Sequence, residues 1–447
     1  MKLELASPAY GVEIRRDRRR IERSHENARA IYMATMSKTG WMLARVIYLT
    51  FLLTMLFTMG AAAQQQPPAI TITLVGQSMI RSDIRATSPA KVPVIRGLLK
   101  GDVRFTNLES AVAEKGETVH EGRGFLTPPE ALDALQTFGF NLLSLSGNHA
   151  FDLNVTGIHN TIREADARKI VHAGTGNNAA EAVAPGYLHT PKGTIALIAS
   201  ASGLIVPGAR ATADRPGVNE LRVEAGNREN EATEDLPGAP GNTPNPEDAQ
   251  RILASIRDAR QHADLVIVYQ HNHVFSNHSF TTVFTEGLQE RLAPNEWLVK
   301  WTHAEVDAGA DIIVMHGAPL LHGVEIYHGR PIFYDLGNFI YNLTPTLTYI
   351  DEPMNWESAV AYVEFQGKNL KSISFRALDL NNVGEGQPDI HNPYTNNQFL
   401  DTRGLPSPLA GARAGYVLQR LADASKPFGT TVEVKGDTAE IKLKSGK

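Results

Sequence analysis

The sequence predicts an α/β fold in which mixed β-sheets are flanked by helices. Two patterns support this prediction. Short apolar runs rich in Val, Ile and Leu alternate with amphipathic helical segments through much of the chain, which is typical of strands joined by crossover helices. Paired extended segments without an intervening helix follow nearer the carboxyl terminus, which indicates antiparallel hairpins. Together they favour one α/β body with both parallel and antiparallel strands.

Each predicted element rests on its own stretch of sequence. Apolar runs predict strands at residues 70–76, 103–106, 141–146, 170–174, 194–200, 264–270 and 311–317. Helical spacing predicts helices at residues 93–100, 128–140, 160–170, 249–263 and 298–310. Hairpins are predicted around His328-Gly329, between residues 359–365 and 370–378, and after a helix that begins near Tyr416.

Composition is ordinary for a globular protein and excludes several kinds of chemistry. Of the 447 residues, 42% are hydrophobic, so the chain can bury a large core without cross-links. It contains no cysteine, which excludes disulfides, thiolate catalysis and cysteine metal sites. Residues 1–63 hold ten Lys/Arg and five Asp/Glu, which gives them a net charge of +5. Because the whole chain has a net charge of −5, the remaining residues carry a net charge of −10. An acidic body argues against nucleic-acid binding.

The amino-terminal segment has the pattern of an export signal. Residues 46–59 are apolar and uncharged, a length that suits a signal peptide better than a membrane span. Lys38 and Arg45 precede the stretch, and three alanines ending at Ala63 follow it. We expect cleavage after Ala63 and an exported protein that begins at Gln64, periplasmic or extracellular. The alternative is an uncleaved membrane anchor with a basic cytoplasmic tail.

Residues 208–248 interrupt the alternation of strands and helices. They are rich in Pro, Gly, Asn and Glu and show no period, which predicts an exposed insertion with few core contacts. We therefore expect an amino-terminal extension with a signal peptide over residues 1–63. A single domain over residues 64–447, carrying the insertion, follows it.

Polar residues follow five of the predicted strands. Ligands of α/β sheets bind beyond the carboxyl ends of the strands. Taken singly, such residues are typical of ordinary turns. Together, imidazole, carboxylate and amide groups are the donors that a hydrolytic divalent-metal site needs. The residues in question are Gln77, Asn107, Glu109, Asn148, His149, His271, His273 and His316.

At these positions the chain resembles the CapA family, which is associated with capsule and poly-γ-glutamate production. That family is similar in turn to calcineurin-like metallophosphatases. The resemblance runs from about residue 70 to residue 429 and implies a calcineurin-like metallophosphatase sandwich of mixed β-sheets flanked by helices. The matching stretches include GDVRFTNLESAVAE, GFNLLSLSGNHAFDLNVTGIHNT, ADLVIVYQHNH and DAGADIIVMHGAPLLHGVEIYHGRPIFYDLGNFIY.

The resemblance implies a role for each strand-end residue. His149 would bind the substrate anion or protonate a leaving group, and Asn107 and Gln77 would contact the substrate. Four side chains would hold one or two divalent ions of manganese, zinc or iron: Glu109, Asn148, His271 and His316.

Two departures from the family pattern weaken this metal site. Gln77 stands where the family usually has an aspartate, and Pro319 stands where it often has a second histidine. His273 is positioned to restore one nitrogen ligand, and Asp83 or Asp152 to restore charge. The sequence therefore leaves three alternatives for the number of metal ions at this site: one ion, a weakly held pair, or none.

Two functions fit these observations. The first is a metal-dependent hydrolase or transferase acting on a phosphoester or amide of an extracytoplasmic polymer. The second is a non-catalytic export or assembly factor that binds the polymer and has a degraded metal site. In both, the expected partner is an anionic polymer or its precursor, with a membrane capsule-synthesis complex also possible. A serine hydrolase is disfavoured because the chain has no G-x-S-x-G motif.

Overall fold

The computed structural model describes residues 43, 45–50, 67–118, 124–224, 242–275, 278–343, 352–385 and 398–443. The chain forms two compact units, Met1–Gln66 and Pro67–Lys447. In the first unit, residues 45–50 are helical. The predicted cleavage position at Ala63 lies outside the described residues, so export stays a prediction. Among the helices of the described ranges, none is both long and apolar enough to cross a membrane.

The strands of the second unit are numbered here in chain order. They are β1 Ala69–Leu74, β2 Gln77–Met79, β3 Val103–Asn107, β4 Ala111–Val112, β5 Leu126–Thr127, β6 Leu142–Ser144, β7 Val171–Ala173, β8 Thr175–Gly176, β9 Gly186–Thr190, β10 Gly193–Ser202, β11 Gly217–Val218 and β12 Val223–Glu224. The others are β13 Thr243–Pro244, β14 Leu265–Asn272, β15 Ile312–His316, β16 Val324–Tyr327, β17 Arg330–Phe333, β18 Asn338–Tyr341, β19 Glu357–Gln366, β20 Asn369–Asp379, β21 Ser407–Pro408, β22 Val432–Lys435 and β23 Thr438–Ile441.

The helices are numbered in the same way. They are α1 Ile84–Thr87, α2 Val92–Leu98, α3 Glu130–Phe138, α4 Asn154–Ala167, α5 Ala179–Val183, α6 Pro246–His262, α7 Phe280–Thr285, α8 Glu296–Ala308, α9 Gln398–Thr402 and α10 Gly411–Ser425. Short 3₁₀ turns lie at Pro89–Lys91, Gln289–Leu292, Pro353–Trp356 and Lys426–Phe428.

Two mixed sheets carry the fold. Within the described residues, the larger sheet has nine strands. Eight follow the order β22-β23-β20-β19-β1-β3-β6-β7, and β21 pairs with β20. Strands β1, β3, β6 and β7 are mutually parallel, whereas β1 pairs with β19 in antiparallel fashion. The smaller sheet has the order β16-β17-β15-β14-β10-β9, with a parallel centre and antiparallel edges.

The two sheets pack face to face, and helices cover their outer faces. Leu74 and Phe105 of the larger sheet share one buried cluster with Leu197 and Ile267 of the smaller. Helices α2 and α3 cover the outer side of the larger sheet, and helices α6 and α8 cover that of the smaller. Every residue of β14 is buried, which explains its unbroken apolar run. The predicted sandwich of mixed β-sheets flanked by helices is therefore confirmed.

The predicted hairpins are also present. Strands β16 and β17 pair in antiparallel register, with Tyr327 opposite Arg330. The turn residues His328 and Gly329 have φ angles of 48° and 78°. Positive φ at both central residues matches the twist of the flanking strands.

The expectation of an exposed insertion is wrong for residues 209–221. Ala209 and Val218 are buried in a cluster with Phe151, and Leu221 packs with Ile252 of helix α6. These apolar residues are small or isolated between loop formers, so they gave no periodic signal. Residues 225–241 of the predicted insertion lie outside the described residues.

A buried carboxylate fastens this segment to helix α6. Asp248 is fully buried and forms ion pairs of 2.6–2.7 Å with Arg210, Arg222 and Arg251. Burial alone would raise the pKa of Asp248, but Arg222 and Arg251 outweigh it and lower the pKa to about 2. We call this set the Asp248 network.

Candidate active site

The candidate site lies where the carboxyl ends of strands from both sheets meet. Asn107 ends β3, the Asn148-His149 pair follows β6, and His271 lies near the end of β14. Glu109 bridges the two sheets, since its carboxylate lies 3.4 Å from the backbone nitrogen of His149 and 3.4 Å from Nδ1 of His271. Five of the seven predicted site residues are thus brought together.

Glu109 is enclosed by its neighbours. The side-chain amide of Asn107 donates a hydrogen bond of 2.5 Å to Oε2 of Glu109. At Gly147, a Cβ atom would lie 2.3 Å from Oε2 of Glu109, so only glycine leaves room for the carboxylate. The side chain is 2% exposed, and this burial raises the pKa of Glu109 to about 7. The carboxyl therefore titrates near neutral pH.

Two imidazoles and one amide oxygen form a compact set of three atoms. Nε2 of His271 lies 2.9 Å from Oδ1 of Asn148, and Nε2 of His273 lies 3.0 Å from the same oxygen. The two Nε2 atoms are 2.9 Å apart. Burial lowers the pKa of His271 well below its ordinary value and that of His273 to about 3, so both rings are neutral. We call these atoms the donor triangle.

The other nitrogen of His271 faces away from the donor triangle. Its Nδ1 lies 3.1 Å from the Tyr269 hydroxyl and 3.4 Å from Oε2 of Glu109. A carboxylate behind a histidine fixes the tautomer that presents the opposite nitrogen to a ligand. Glu109 therefore contacts the ring nitrogen of His271 that faces away from the donor triangle and orients the ring.

A ladder of side-chain hydrogen bonds holds the opposite face of β14. The Ser200 hydroxyl donates to Gln270 at 2.6 Å, and the Ser202 hydroxyl donates to Asn272 at 2.7 Å. The Gln270 amide in turn donates to Ser202 at 2.9 Å. Because successive residues of a strand point to opposite faces, this ladder directs His271 towards the site.

His149 is paired with a carboxylate. Its Nδ1 lies 2.7 Å from Oδ2 of Asp152, which also accepts a hydrogen bond of 2.5 Å from the Phe125 backbone. Burial would lower the pKa of His149, but Asp152 and Glu109 outweigh it and raise the pKa. The carboxylate pairing thus stabilises the protonated form of the ring, the form that can bind an anion or donate a proton.

The remaining two predicted site residues lie outside these contacts. Gln77 donates its amide hydrogen to Asn338 at 3.0 Å, and its Oε1 has no hydrogen-bond partner. His316 is the register partner of His271 on β15 and packs against the Tyr269 ring at 5.4 Å. It also lines a small cavity with Asn272 and His322. Their predicted roles stay predictions.

The three atoms of the donor triangle belong to groups that serve as metal ligands in proteins. Within the described ranges, no three His, Asp or Glu side chains are arranged to hold a metal ion. The convergent set instead contains two imidazoles and an amide oxygen, which are also metal ligands. Sequence reasoning noted His273 only as a replacement ligand and missed Tyr269. The two-residue spacing of His271 and His273 was the available signal, because such residues share one face of a strand.

Comparison with known proteins supplies the family context. The family "Bacterial capsule synthesis protein PGA_cap" matches residues 71–343. The uncharacterized protein y4sH of Sinorhizobium fredii (strain NBRC 101917 / NGR234) is 27% identical over 86% of this chain and 95% of its own length. The PGA biosynthesis protein CapA of Bacillus subtilis (strain 168) is 26% identical over 48% of this chain and 46% of its own.

One solved structure shows a weaker likeness. The structure of Haemophilus influenzae NAD nucleotidase (NadN) has a TM-score of 0.34 and 10% sequence identity, covering 68% of this chain and 49% of that one. A score at this level carries no argument about function.

Proposed function

The chain belongs to the bacterial capsule synthesis protein family PGA_cap, and from this premise we propose that it is a metal-dependent hydrolase or transferase. Its substrate is an anionic capsule polymer, such as poly-γ-glutamate, or a precursor of that polymer. It acts outside the cytoplasm, in keeping with the apolar segment at residues 46–59. The family match supports the capsule role, and the site supports the chemistry.

One observation carries the chemical part of the proposal. Glu109, His149 and His271 come from three separate strand ends, and the Glu109 carboxylate lies 3.4 Å from the backbone nitrogen of His149 and 3.4 Å from the ring nitrogen Nδ1 of His271. Burying a carboxyl and several imidazoles costs free energy that a purely structural core would avoid. Such clusters of groups with shifted pKa values are typical of catalytic sites.

Each side chain has a distinct part in the proposed reaction. His149, held by Asp152, protonates the leaving group as the scissile bond breaks. Glu109 accepts the proton of the attacking hydroxyl or water, a task that suits a pKa of about 7. Asn148 and His271 would hold a divalent ion, which polarises the scissile carbonyl or phosphoryl group and acidifies water when bound.

Two groups able to carry positive charge lie beside the site, and each has a carboxylate near it. Arg81 is buried, its guanidinium lies 4.2 Å from the centre of the Phe125 ring, and its charge acts on both His149 and Asp401. His149 is paired with Asp152. The support for an anionic substrate therefore comes from the family match.

A second function is favoured by one specific feature. Gln77 offers a neutral amide where the family usually has a carboxylate, and Pro319 offers no side-chain ligand, so the site has lost one negative charge and one imidazole of the family pattern. A non-catalytic polymer-binding export or assembly factor would need neither position.

Turnover measurements separate the two functions. Purified full-length chain is incubated with poly-γ-glutamate or a model phosphodiester, with manganese or zinc and with a chelator. The hydrolase predicts metal-dependent cleavage that His149→Ala reduces at least a hundredfold, the range typical of general acids. The matched control is His262→Ala, because His262 is exposed and distant in sequence. Polymer binding without cleavage by the parent under any metal would refute the hydrolase and favour the assembly factor.

A further inference from the structure

The spacing of the donor triangle is that of ligands around one metal ion. The three separations between Asn148 Oδ1, His271 Nε2 and His273 Nε2 are 2.9, 3.0 and 2.9 Å. Donor atoms bound at right angles to one ion, with bonds of about 2.1 Å, lie about 3.0 Å apart. The match involves all three pairs, which a chance contact between two side chains would not produce.

The three atoms of the donor triangle do not carry enough hydrogens to satisfy one another by hydrogen bonding. Nδ1 of His271 faces the Tyr269 hydroxyl at 3.1 Å and Oε2 of Glu109 at 3.4 Å. When Glu109 is ionised, its carboxylate can only accept, and the hydrogen of His271 then lies on Nδ1. Nε2 of His271 then presents a lone pair, as does the amide oxygen of Asn148. A single hydrogen on His273 Nε2 can satisfy only one of these two atoms. A bound cation would satisfy all three.

Packing fixes the ring of His273 in this position. The backbone nitrogen of His273 bonds to the carbonyl of Ser202 at 2.8 Å, which extends the β14 pairing past its end. The ring meets Phe280 edge-on at 4.4 Å, and its Nδ1 is buried without a hydrogen-bond partner. Only Nε2 has polar neighbours, so the ring is oriented for the donor triangle.

We infer that His273, with Asn148 and His271, holds a single divalent first-row transition-metal ion. The inference rests on the proposed function for its choice of site, and it adds His273 to the ligands that the CapA resemblance implies. His316 is the register partner of His271 and packs on Tyr269, but its ring nitrogens make none of the three contacts of the donor triangle. Two imidazoles select zinc, cobalt, iron or nickel over magnesium and calcium.

Cobalt(II) is the probe, because its visible absorption reports nitrogen ligation directly. Tag-free, full-length chain is stripped of metal and titrated with cobalt by calorimetry and absorption. We expect one ion per chain. His273→Ala and His273→Gln should each weaken binding about a hundredfold, the upper end of what loss of a supporting group alone costs. Asn148→Asp should tighten it, because a carboxylate adds charge against the cation.

Two controls complete the design. His322→Ala removes a buried histidine whose ring bonds the Arg291 carbonyl rather than the donor triangle, and His262→Ala removes an exposed one. Neither should change cobalt affinity or the absorption spectrum. Circular dichroism and thermal melting confirm that each variant is folded.

The outcomes separate this inference from the proposed function. Parent-like binding by both His273 variants, loss of binding with His322→Ala alone, or no uptake by the parent would each overturn the His273 assignment. Cobalt binding with the expected variant pattern, but no turnover by the parent with any metal, would overturn the hydrolase and leave the ion site standing.

Discussion

Replacing Glu109 by glutamine should make the metal-free protein more stable, and only at neutral and alkaline pH. Burial raises the pKa of Glu109 from 4.5 to about 7. Below pH 4.5 the carboxyl is protonated in both the folded and the unfolded chain, so the two states do not differ in charge. Between pH 4.5 and 7 the unfolded chain releases the proton and the folded chain keeps it. The free energy of unfolding therefore falls as pH rises through this range.

The size of the effect follows from the same pKa. Each pKa unit corresponds to about 1.4 kcal/mol of free energy. Because the pKa of Glu109 is raised from 4.5 to about 7, the ionised carboxylate destabilises the folded state by about 3 kcal/mol above pH 7. Glutamine keeps the shape and carries no charge. Glu109→Gln should therefore match the parent near pH 4 and exceed it by about 3 kcal/mol near pH 8.

Urea unfolding of the full-length chain at several pH values, with chelator present, measures the difference. Glu130→Gln controls for the loss of one carboxylate, because Glu130 is exposed on helix α3. A Glu109→Gln variant with the same advantage at pH 4 and pH 8, or with none, would refute the argument. The same variant should reduce polymer turnover, which would show that Glu109 is retained for function at the expense of stability.

Three further predictions concern other parts of the chain. Amino-terminal sequencing of protein from the native host should give a sequence that begins near Gln64, and an intact amino terminus in a cytosolic fraction would contradict export. Asp152→Asn should lower the pKa of His149, because burial would then act without the opposing carboxylate; histidine NMR titration measures this, and an unchanged pKa would contradict it. Asp248→Asn should lower the free energy of unfolding by about 2 kcal/mol, because the arginines of the Asp248 network lower the pKa of Asp248 from 3.8 to about 2 and each pKa unit corresponds to about 1.4 kcal/mol. Urea unfolding at pH 7 measures that loss, and an unchanged midpoint would show that the network is not stabilising.

Local sequence patterns predicted most of the sheet framework. Within the predicted strand at residues 264–270, residues 265–269 are apolar throughout because β14 is buried on both faces, so the strand could be recognised without other information. The His328-Gly329 turn was recognisable because positive φ at both central positions suits this pair. Such features depend on neighbours in the chain.

Contacts between distant parts of the chain could not be predicted in this way. The hydrogen bond from the Gln77 amide to Asn338, 261 residues away, was not predicted, and the expected role of Gln77 at the substrate stays a prediction. Residues 209–221 were expected to be exposed, but their few apolar side chains are buried and the Asp248 network fastens them. In both cases the contacts are made with elements distant in sequence, and a local sequence pattern carries no information about such contacts.

The hydrogen-bond ladder between Ser200, Ser202, Gln270 and Asn272 has a consequence for how this family can change. The ladder fixes the pairing register of β14 with β10 and opposes a shift by one residue. Such a shift would turn the His271 side chain to the face that the helices cover. During evolution, a histidine ligand on this strand can therefore be replaced only by a residue two positions away, because that residue lies on the same face. Relatives that lose a histidine at one strand end are expected to gain one two positions along. Substitutions at Ser202 and Asn272 should occur together, because each residue's hydrogen bond depends on the other.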